Sequence, residues 1–260
     1  MPESLLANWR LLPSWASELG WYMVFFATVF PLEAMFGSER KPGWGERIGN
    51  VAAMLVYFGL GTFVLEALEK LPLGERLAAF PAESRLEILK YPLVWALTSV
   101  FLVDGLFYVY HRLQHSFALF WRVHKLHHTD PAMNITTTHR THFLERTLQY
   151  LCLTTPMFWT LGKNLPGVSY AALITMFFLY LGHADIRLDL GPLTPIVVGP
   201  MFHRLHHSRH REHRNVNFAQ IFPLFDILGG TYRRPRAEEH PDTGIEGCES
   251  DRERWRPLLG

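Results

Sequence analysis

Residues 91–115 read YPLVWALTSVFLVDGLFYVYHRLQH and join two chemistries in one helix. From Tyr91 to Tyr110 the run is apolar around a single ionisable group, Asp104. It is long enough to cross a bilayer, which takes roughly 20 residues. His111 and His115 follow one helical turn apart, on one face. The polar face that recurs every 3.6 residues in a soluble helix is missing. The stretch predicts a membrane helix that presents two imidazoles where it leaves the apolar layer.

Four further stretches repeat the apolar half of that pattern. They are residues 19–37 (broken by Pro31 and carrying Glu33), 50–68, 147–162 and 165–182, the last two forming a hairpin turned at Lys163-Asn164. The segments at 50–68, 91–110 and 165–182 are full spans, whereas 19–37 and 147–162 are marginal. The competing reading is a set of buried core helices in a soluble protein. Of the 260 residues 48% are hydrophobic, 14% aromatic and 19% charged, and soluble domains carry about 25% charge. Mean hydropathy is only +0.04, so the spans are concentrated in part of the chain. A net charge of +1 gives no basis for binding nucleic acid. Cys152 and Cys248 stand far apart and offer neither a disulfide framework nor a cysteine zinc site. The first residues lack a secretory signal, and no retrieval motif is visible; this favours a bacterial inner membrane over the endoplasmic reticulum.

The polar remainder falls in two blocks, 111–146 and 183–260. If each follows a span, both lie on one side of the bilayer. Arg40, Lys41 and Arg47 in the 38–49 loop point to the cytoplasm for that side. The expected fold is therefore all-α: four to five membrane helices under a cytoplasmic, histidine-rich helical cap holding a di-metal site. The chain divides into N-terminal membrane helices (1–90), a catalytic domain (91–235) and a polar C-terminal tail (236–260).

Twelve of the 14 histidines lie in two patches, seven between residues 111 and 142 and five between 203 and 213. His111 and His115 are four apart. His124, His127 and His128 have i, i+3, i+4 spacing, repeated by His203, His206 and His207. At these spacings each group is expected to converge on a metal. Zinc sites close at four ligands and octahedral ions at six, so eight histidines ask for two ions. His142 and His183, at polar edges of apolar segments, are candidates to complete the set. His139, His210 and His213 read as solvated surface histidines, and His240 as a bystander. Asp104, seven residues before His111 on the same stripe, is expected to accept the free ring N–H of a ligating histidine.

Histidine ligation alone does not separate iron, copper and zinc. A metallohydrolase wants a carboxylate beside its metal-bound water, and no Glu lies within the clusters. The clusters abut apolar helices, where a lipid offers unactivated C–H bonds. Acid–base chemistry cannot break those; metal-activated dioxygen can.

The run 104–115 (DGLFYVYHRLQH), then 119–128 (LFWRVHKLHH), resembles the fatty acid hydroxylase/sterol desaturase superfamily. So do 134–145 (NITTTHRTHFLE), 182–185 (GHAD), 203–208 (HRLHHS), and the following Asn217-Phe218, Phe225-Asp226 and Gly230-Thr231-Tyr232. The resemblance covers residues 95–235. It implies a membrane-bound non-haem di-iron oxygenase or desaturase facing the cytoplasm. The ligands it implies are His111, His115, His124, His127, His128, His142, His183, His203, His206 and His207. Asp104, Asn134, Arg140, Glu145 and Asp185 would support them. Phe143, Ala219 and Gly229 depart from the pattern, where Pro, Gly and an aromatic residue are common.

On this reading the chain hydroxylates or desaturates a lipid such as a sterol or fatty acyl chain, with two iron ions, dioxygen and two electrons. Zinc can replace iron in purified protein. No flavin, nicotinamide or cluster motif is present. The electrons are thus expected from a separate ferredoxin, cytochrome or reductase, docked at the basic run of Arg204, Arg209, Arg211 and Arg214 or, equally, with that run facing anionic headgroups. The alternatives are a zinc-dependent membrane hydrolase and a metal-transporting or metal-storing membrane protein.

Overall fold

In the computed structural model, which describes residues 14–37, 43–79, 81, 86–162, 165–236, 238–248 and 250–258, no strand occurs among the described residues. The helices are α1 (Ser14–Phe36), α2 (Trp44–Glu69), α3 (Pro72–Ala78), α4 (Pro92–Ser116), α5 (Ala118–His128), α6 (Leu144–Gln149), α7 (Thr155–Leu161), α8 (Leu165–His183), α9 (Pro200–His206), α10 (Leu224–Gly229) and α11 (Asp251–Trp255). Helices α2 and α4 are long and apolar enough to cross a membrane; Tyr22–Phe36 of α1 and Gly167–His183 of α8 are apolar but shorter. The expected turn at Lys163-Asn164 and the loop cations Arg40 and Lys41 lie outside the described residues.

Both long helices bury a mixed stripe and turn large apolar side chains outward. On α2 the inward stripe is Asn50, Ala53, Met54, Tyr57, Phe58, Gly61 and Thr62, while Ile48, Leu55 and Phe63 are more than half exposed. On α4, Ser99, Asp104 and His111 are buried and Leu93, Leu97 and Val109 point outward. A helix on the surface of a soluble protein turns polar residues outward, so these exposed apolar faces fit a membrane setting.

The fourth apolar stretch is helical but uneven. A π turn, Tyr150–Thr154, separates α6 from α7. Pro156 lies in the first turn of α7 and has no N–H to continue the α-helical ladder back to Cys152. The wider π turn takes up that mismatch. Helix α2 approaches α6 so closely at Gly61 that a Cβ there would lie 2.8 Å from the Phe143 carbonyl oxygen.

The site is positioned by two sharp chain features. Phe117 is extended (φ −110°, ψ 127°), so α4 stops at Ser116 and α5 folds back against it. Helix α9 starts at Pro200, whose missing N–H costs nothing in a first turn, and packs on α8. The cluster of Phe25, Val29, Ile135, Tyr180, Ala184 and Ile186 ties α1 and α8 to the 3₁₀ turn Ile135–His139. Glu33, the carboxylate inside the first apolar segment, is part of that joint. It accepts from the backbone N–H of Ile135 (2.7 Å) and Asp185 (3.1 Å) and pairs with Arg47 (2.9 Å). The C-terminal stretch also docks: the Arg254 carbonyl accepts from Thr129 Oγ1 (3.0 Å), and Trp255 lies 3.7 Å beneath the Arg140 guanidinium.

Candidate metal centre

Nine histidines from four helices come together in two groups. His111, His115, His124, His128 and His206 form one; His127, His183, His203 and His207 form the other. Within each group the ligand atoms lie within 4.8 Å of one another. The expectation that each i, i+3, i+4 box would converge on one metal is corrected here. Positions i and i+4 project on nearly one line, but i+3 and i+4 diverge by roughly 100° around the helix. Hence His124 and His128 of α5 stay with the first group and His127 crosses to the second. On α9 and its C-terminal cap, His203 and His207 stay with the second and His206 crosses to the first. Each helix thus serves both halves of the centre.

The nitrogens fit cations. His111 Nδ1 bonds the Phe218 carbonyl (2.9 Å), His183 Nδ1 that of Leu179 (2.8 Å), and His206 Nδ1 that of Val216 (2.8 Å). A carbonyl only accepts, so these Nδ1 atoms carry the hydrogen and each neutral ring presents a bare Nε2 lone pair. Those lone pairs face other imidazole nitrogens. His124 Nε2 lies 3.1 Å from both His111 Nε2 and His128 Nε2. In the other group, His183 Nε2 lies 3.0 Å from His127 Nε2 and 3.2 Å from His203 Nε2, which is 3.2 Å from His207 Nε2. One N–H cannot serve two such contacts, and Nε2 of His115 and of His206 has no hydrogen-bond partner. A cation bonding two imidazole nitrogens at roughly 2.1 Å and a right angle holds them about 3.0 Å apart. Burial, then mutual crowding, holds His124, His127, His128, His203, His206 and His207 well below the usual histidine range. Neutral rings are the form that binds metal.

His142 belongs to neither group. Its Nδ1 accepts from the backbone N–H of Leu144 (3.2 Å) and its ring stacks on Phe143.

The carboxylates around the centre act through other groups. Asp104 was expected to hold a ligand ring. Instead it accepts three backbone N–H groups, from Gln220 (2.9 Å), Ile221 (3.1 Å) and Phe222 (2.6 Å). Asp226 similarly accepts from the N–H of Phe218 and of Ala219, both at 2.8 Å. Together they fix the loop whose Phe218 carbonyl orients His111. Glu145 Oε1 accepts from Tyr110 Oη (2.8 Å) and Gln114 Nε2 (2.6 Å), while its Oε2 stands 3.9 Å from His124 Nδ1. Burial pushes the Glu145 carboxyl up to about 7, against those two hydrogen bonds. Asn134 caps the 3₁₀ turn, accepting from Thr136 N (3.0 Å). Arg140 ties Asn50 to Thr129 (both 2.9 Å). Asp185 pairs with Arg204 (2.8 Å), which removes Arg204 from the expected basic surface.

Two histidines read as surface groups are buried. His213 bonds Ser208 Oγ (2.8 Å) and lies 3.2 Å from Glu239. His139 is packed among Tyr22, Tyr57, Phe58 and Tyr180, its Nε2 without a partner; burial pushes it down to about 3. His210 is exposed, as expected. His240, read as a bystander, is half-buried, with its ring tucked 3.3 Å from Asp185.

Two cavities reach the centre from separate directions. A chamber of about 100 Å³ is lined by His111, His124, His127, His183 and His203. It adjoins an apolar cavity of about 390 Å³ between α4, α7 and α8. A second opening, about 350 Å³, is lined by His115, His128 and His206 together with Lys125, Arg209 and Arg214. Among the described residues, none lines both the chamber and this opening.

Comparison with known proteins follows the same residues. The ornithine lipid hydroxylase OlsE of Rhizobium tropici is 34% identical over 140 residues, 54% of this chain and 42% of its own length. An alkylglycerol monooxygenase of Xenopus tropicalis is 31% identical over 143 residues, 54% of this chain and 31% of its own. That of Caenorhabditis elegans is 23% identical over 247 residues, 91% of this chain and 45% of its own. The chain therefore spans less than half the length of these relatives, and no solved structure matches it. The fatty acid hydroxylase profile matches residues 96–231, a stretch that is more than half of the chain and contains all nine clustered histidines, and the chain belongs to the fatty acid hydroxylase family.

Proposed function

We propose that this chain is a membrane-embedded di-iron oxygenase that hydroxylates a C–H bond of a lipid. One observation carries the reading: two adjoining groups of neutral imidazoles form the wall of a chamber that continues into an apolar cavity. The nine histidines would hold two irons, which supply activation of dioxygen. The balance is one C–H bond and one dioxygen, with two electrons and two protons, giving one C–OH bond and one water. Desaturation uses the same first hydrogen abstraction. OlsE is named as a hydroxylase of ornithine lipid and the alkylglycerol enzyme as a monooxygenase, which supports lipid oxidation here.

The chain's own residues have definite tasks. The Phe218, Leu179 and Val216 carbonyls hold three rings in the tautomer that points Nε2 at the centre. Apolar walls from α4, α7 and α8 exclude water from the reacting chain. A hydrolase would need a carboxylate free to activate water. Glu145 does line the chamber, but Oε1 is committed to Tyr110 and Gln114, and Oε2 faces an imidazole. Electrons come from a separate one-electron carrier, which fits the basic opening. The loop cations Arg40, Lys41 and Arg47 support a cytoplasmic position for the centre.

The test is metal content of protein from iron-supplemented cells, with dioxygen uptake on adding reductant and membrane lipid extract. About two irons per chain and lipid-dependent uptake are expected. Zinc that iron cannot replace, with no uptake under any reductant, would overturn the proposal.

A further inference from the structure

The chamber and the apolar cavity share five lining residues: Phe107, Gln149, Met176, Leu179 and Gln220. Three are apolar, as a passage for an alkyl chain requires. The two glutamines are not explained by that role, and each is only half used by the protein. Gln149 Oε1 accepts from Tyr57 Oη (2.9 Å), and its NH2 has no partner among the described residues. Gln220 Nε2 donates to the Thr175 carbonyl (3.0 Å), and its Oε1 likewise has none. The neck therefore offers one donor and one acceptor to whatever passes through it. Just inside, Thr138 and His139 line the chamber, and His139 Nε2 is buried without a partner.

Two kinds of occupant can be weighed by desolvation. A plain alkyl end drawn through the neck removes water from both amides and returns nothing. Each unmet group costs about 1–3 kcal/mol. A lipid with a polar linkage at the neck satisfies them instead. Its tail then fills the outer cavity of about 390 Å³, and only a small head-side fragment fits the chamber of about 100 Å³.

We infer that Gln149 and Gln220 bind the polar linkage of a lipid, an oxygen acceptor with a neighbouring N–H or O–H, so that the oxidised carbon adjoins the linkage on its head side and not the far end of the tail. The regiochemical half of this rests on the oxygenase reading; the binding half stands without it. Gln149 Nε2 donates to the linkage oxygen, and Gln220 Oε1 accepts from the neighbouring donor. The two glutamines select substrate and register; they do not touch the metal ligands.

The test measures binding of N-hexadecylacetamide and of an n-alkane of equal length to the full chain in lipid nanodiscs, without reductant so that nothing turns over. The wild type is expected to favour the amide by about tenfold or more. Gln149→Met and Gln220→Met, close in size to the native side chains, are each expected to shrink that preference to within about threefold while alkane binding is kept, which also reports that the cavity is folded. An alkane bound as tightly as the amide by the wild type, or a preference that survives both substitutions, overturns the inference. With reductant and dioxygen added, a hydroxyl on the acetyl carbon, the head side of this probe, supports the register, and a hydroxyl anywhere on the hexadecyl chain overturns it. If the preference behaves as stated but no lipid is oxidised, the oxygenase reading fails and the binding site stands.

Discussion

His127 and His128 are neighbours in the chain and serve different halves of the centre, so single substitutions there have unequal effects. His127→Ala leaves three imidazoles in its group, whereas His128→Ala leaves four in the other. Metal analysis after dialysis is expected to fall from about two ions per chain toward one for His127→Ala, and less far for His128→Ala. Equal losses in the two variants would mean that the rings form one undivided site. Protonation acts on the same rings. In the metal-free protein the buried imidazoles stay neutral when folded and take up protons once unfolded, near pH 6.5. Their contribution is fully present above about pH 6.5 and is lost as the pH falls below it, by up to about 1.4 kcal/mol per pH unit for each such ring. Glu145, pushed up to about 7, acts oppositely, because its neutral form is lost as the pH rises past that value. The melting temperature of the metal-free protein is expected to peak near neutrality and drop between pH 6.5 and 5.5. A rise toward acid would contradict the buried, neutral state of the rings.

At the scale of elements, what the sequence makes legible is what is local. The boxes on α4, α5 and α9 follow from i, i+3, i+4 spacing. Which half of the centre each ring serves depends on how α5 and α9 face each other, and spacing within one helix cannot report that. Asp104 stands out as an ionisable group inside an apolar run, but its partners are the N–H groups of residues 220–222, more than a hundred positions away. His139 looks like a loop histidine until α1, α2 and α8 close over it. Gly229, a departure from the family pattern, has a local reason: a Cβ there would run into Tyr108 Oη. The loop clamp gives its own prediction. Asp104→Asn trades a carboxylate oxygen for an amide that cannot accept from Phe222, loosening the segment whose Phe218 carbonyl fixes the His111 tautomer. Metal affinity is expected to fall about 10–100-fold with helix content unchanged by circular dichroism. Unchanged affinity would confine Asp104 to a purely structural part.

At the scale of the whole molecule the centre has two approaches that share no described residue, and they differ in chemistry. The chamber side continues into the apolar cavity between α4, α7 and α8. The other opening carries Lys125, Arg209 and Arg214 around His115, His128 and His206, with Glu246 offsetting part of that charge through Arg211 (3.1 Å) and Arg214 (3.6 Å). Trp121 lines it, its ring 5.1 Å from His115 and 5.5 Å from His128, between the basic rim and the ligands. On the proposed function, substrate and electrons would arrive from different sides, and a lipid in the chamber would not block the carrier. Positive charge at a rim raises the encounter rate with an acidic protein and loses that effect as salt screens it. The combined change Lys125→Glu, Arg209→Glu, Arg214→Glu is expected to lower the rate supported by a reduced acidic ferredoxin by about tenfold or more at low ionic strength. The rate supported by dithionite should stay within about twofold, because a small reductant does not need the rim. Added salt should slow the ferredoxin-driven wild type toward the variant and leave the variant almost unaffected. An equal loss with both reductants would show that the substitutions damage the metal centre itself, and no loss with either would place the docking surface elsewhere on the protein.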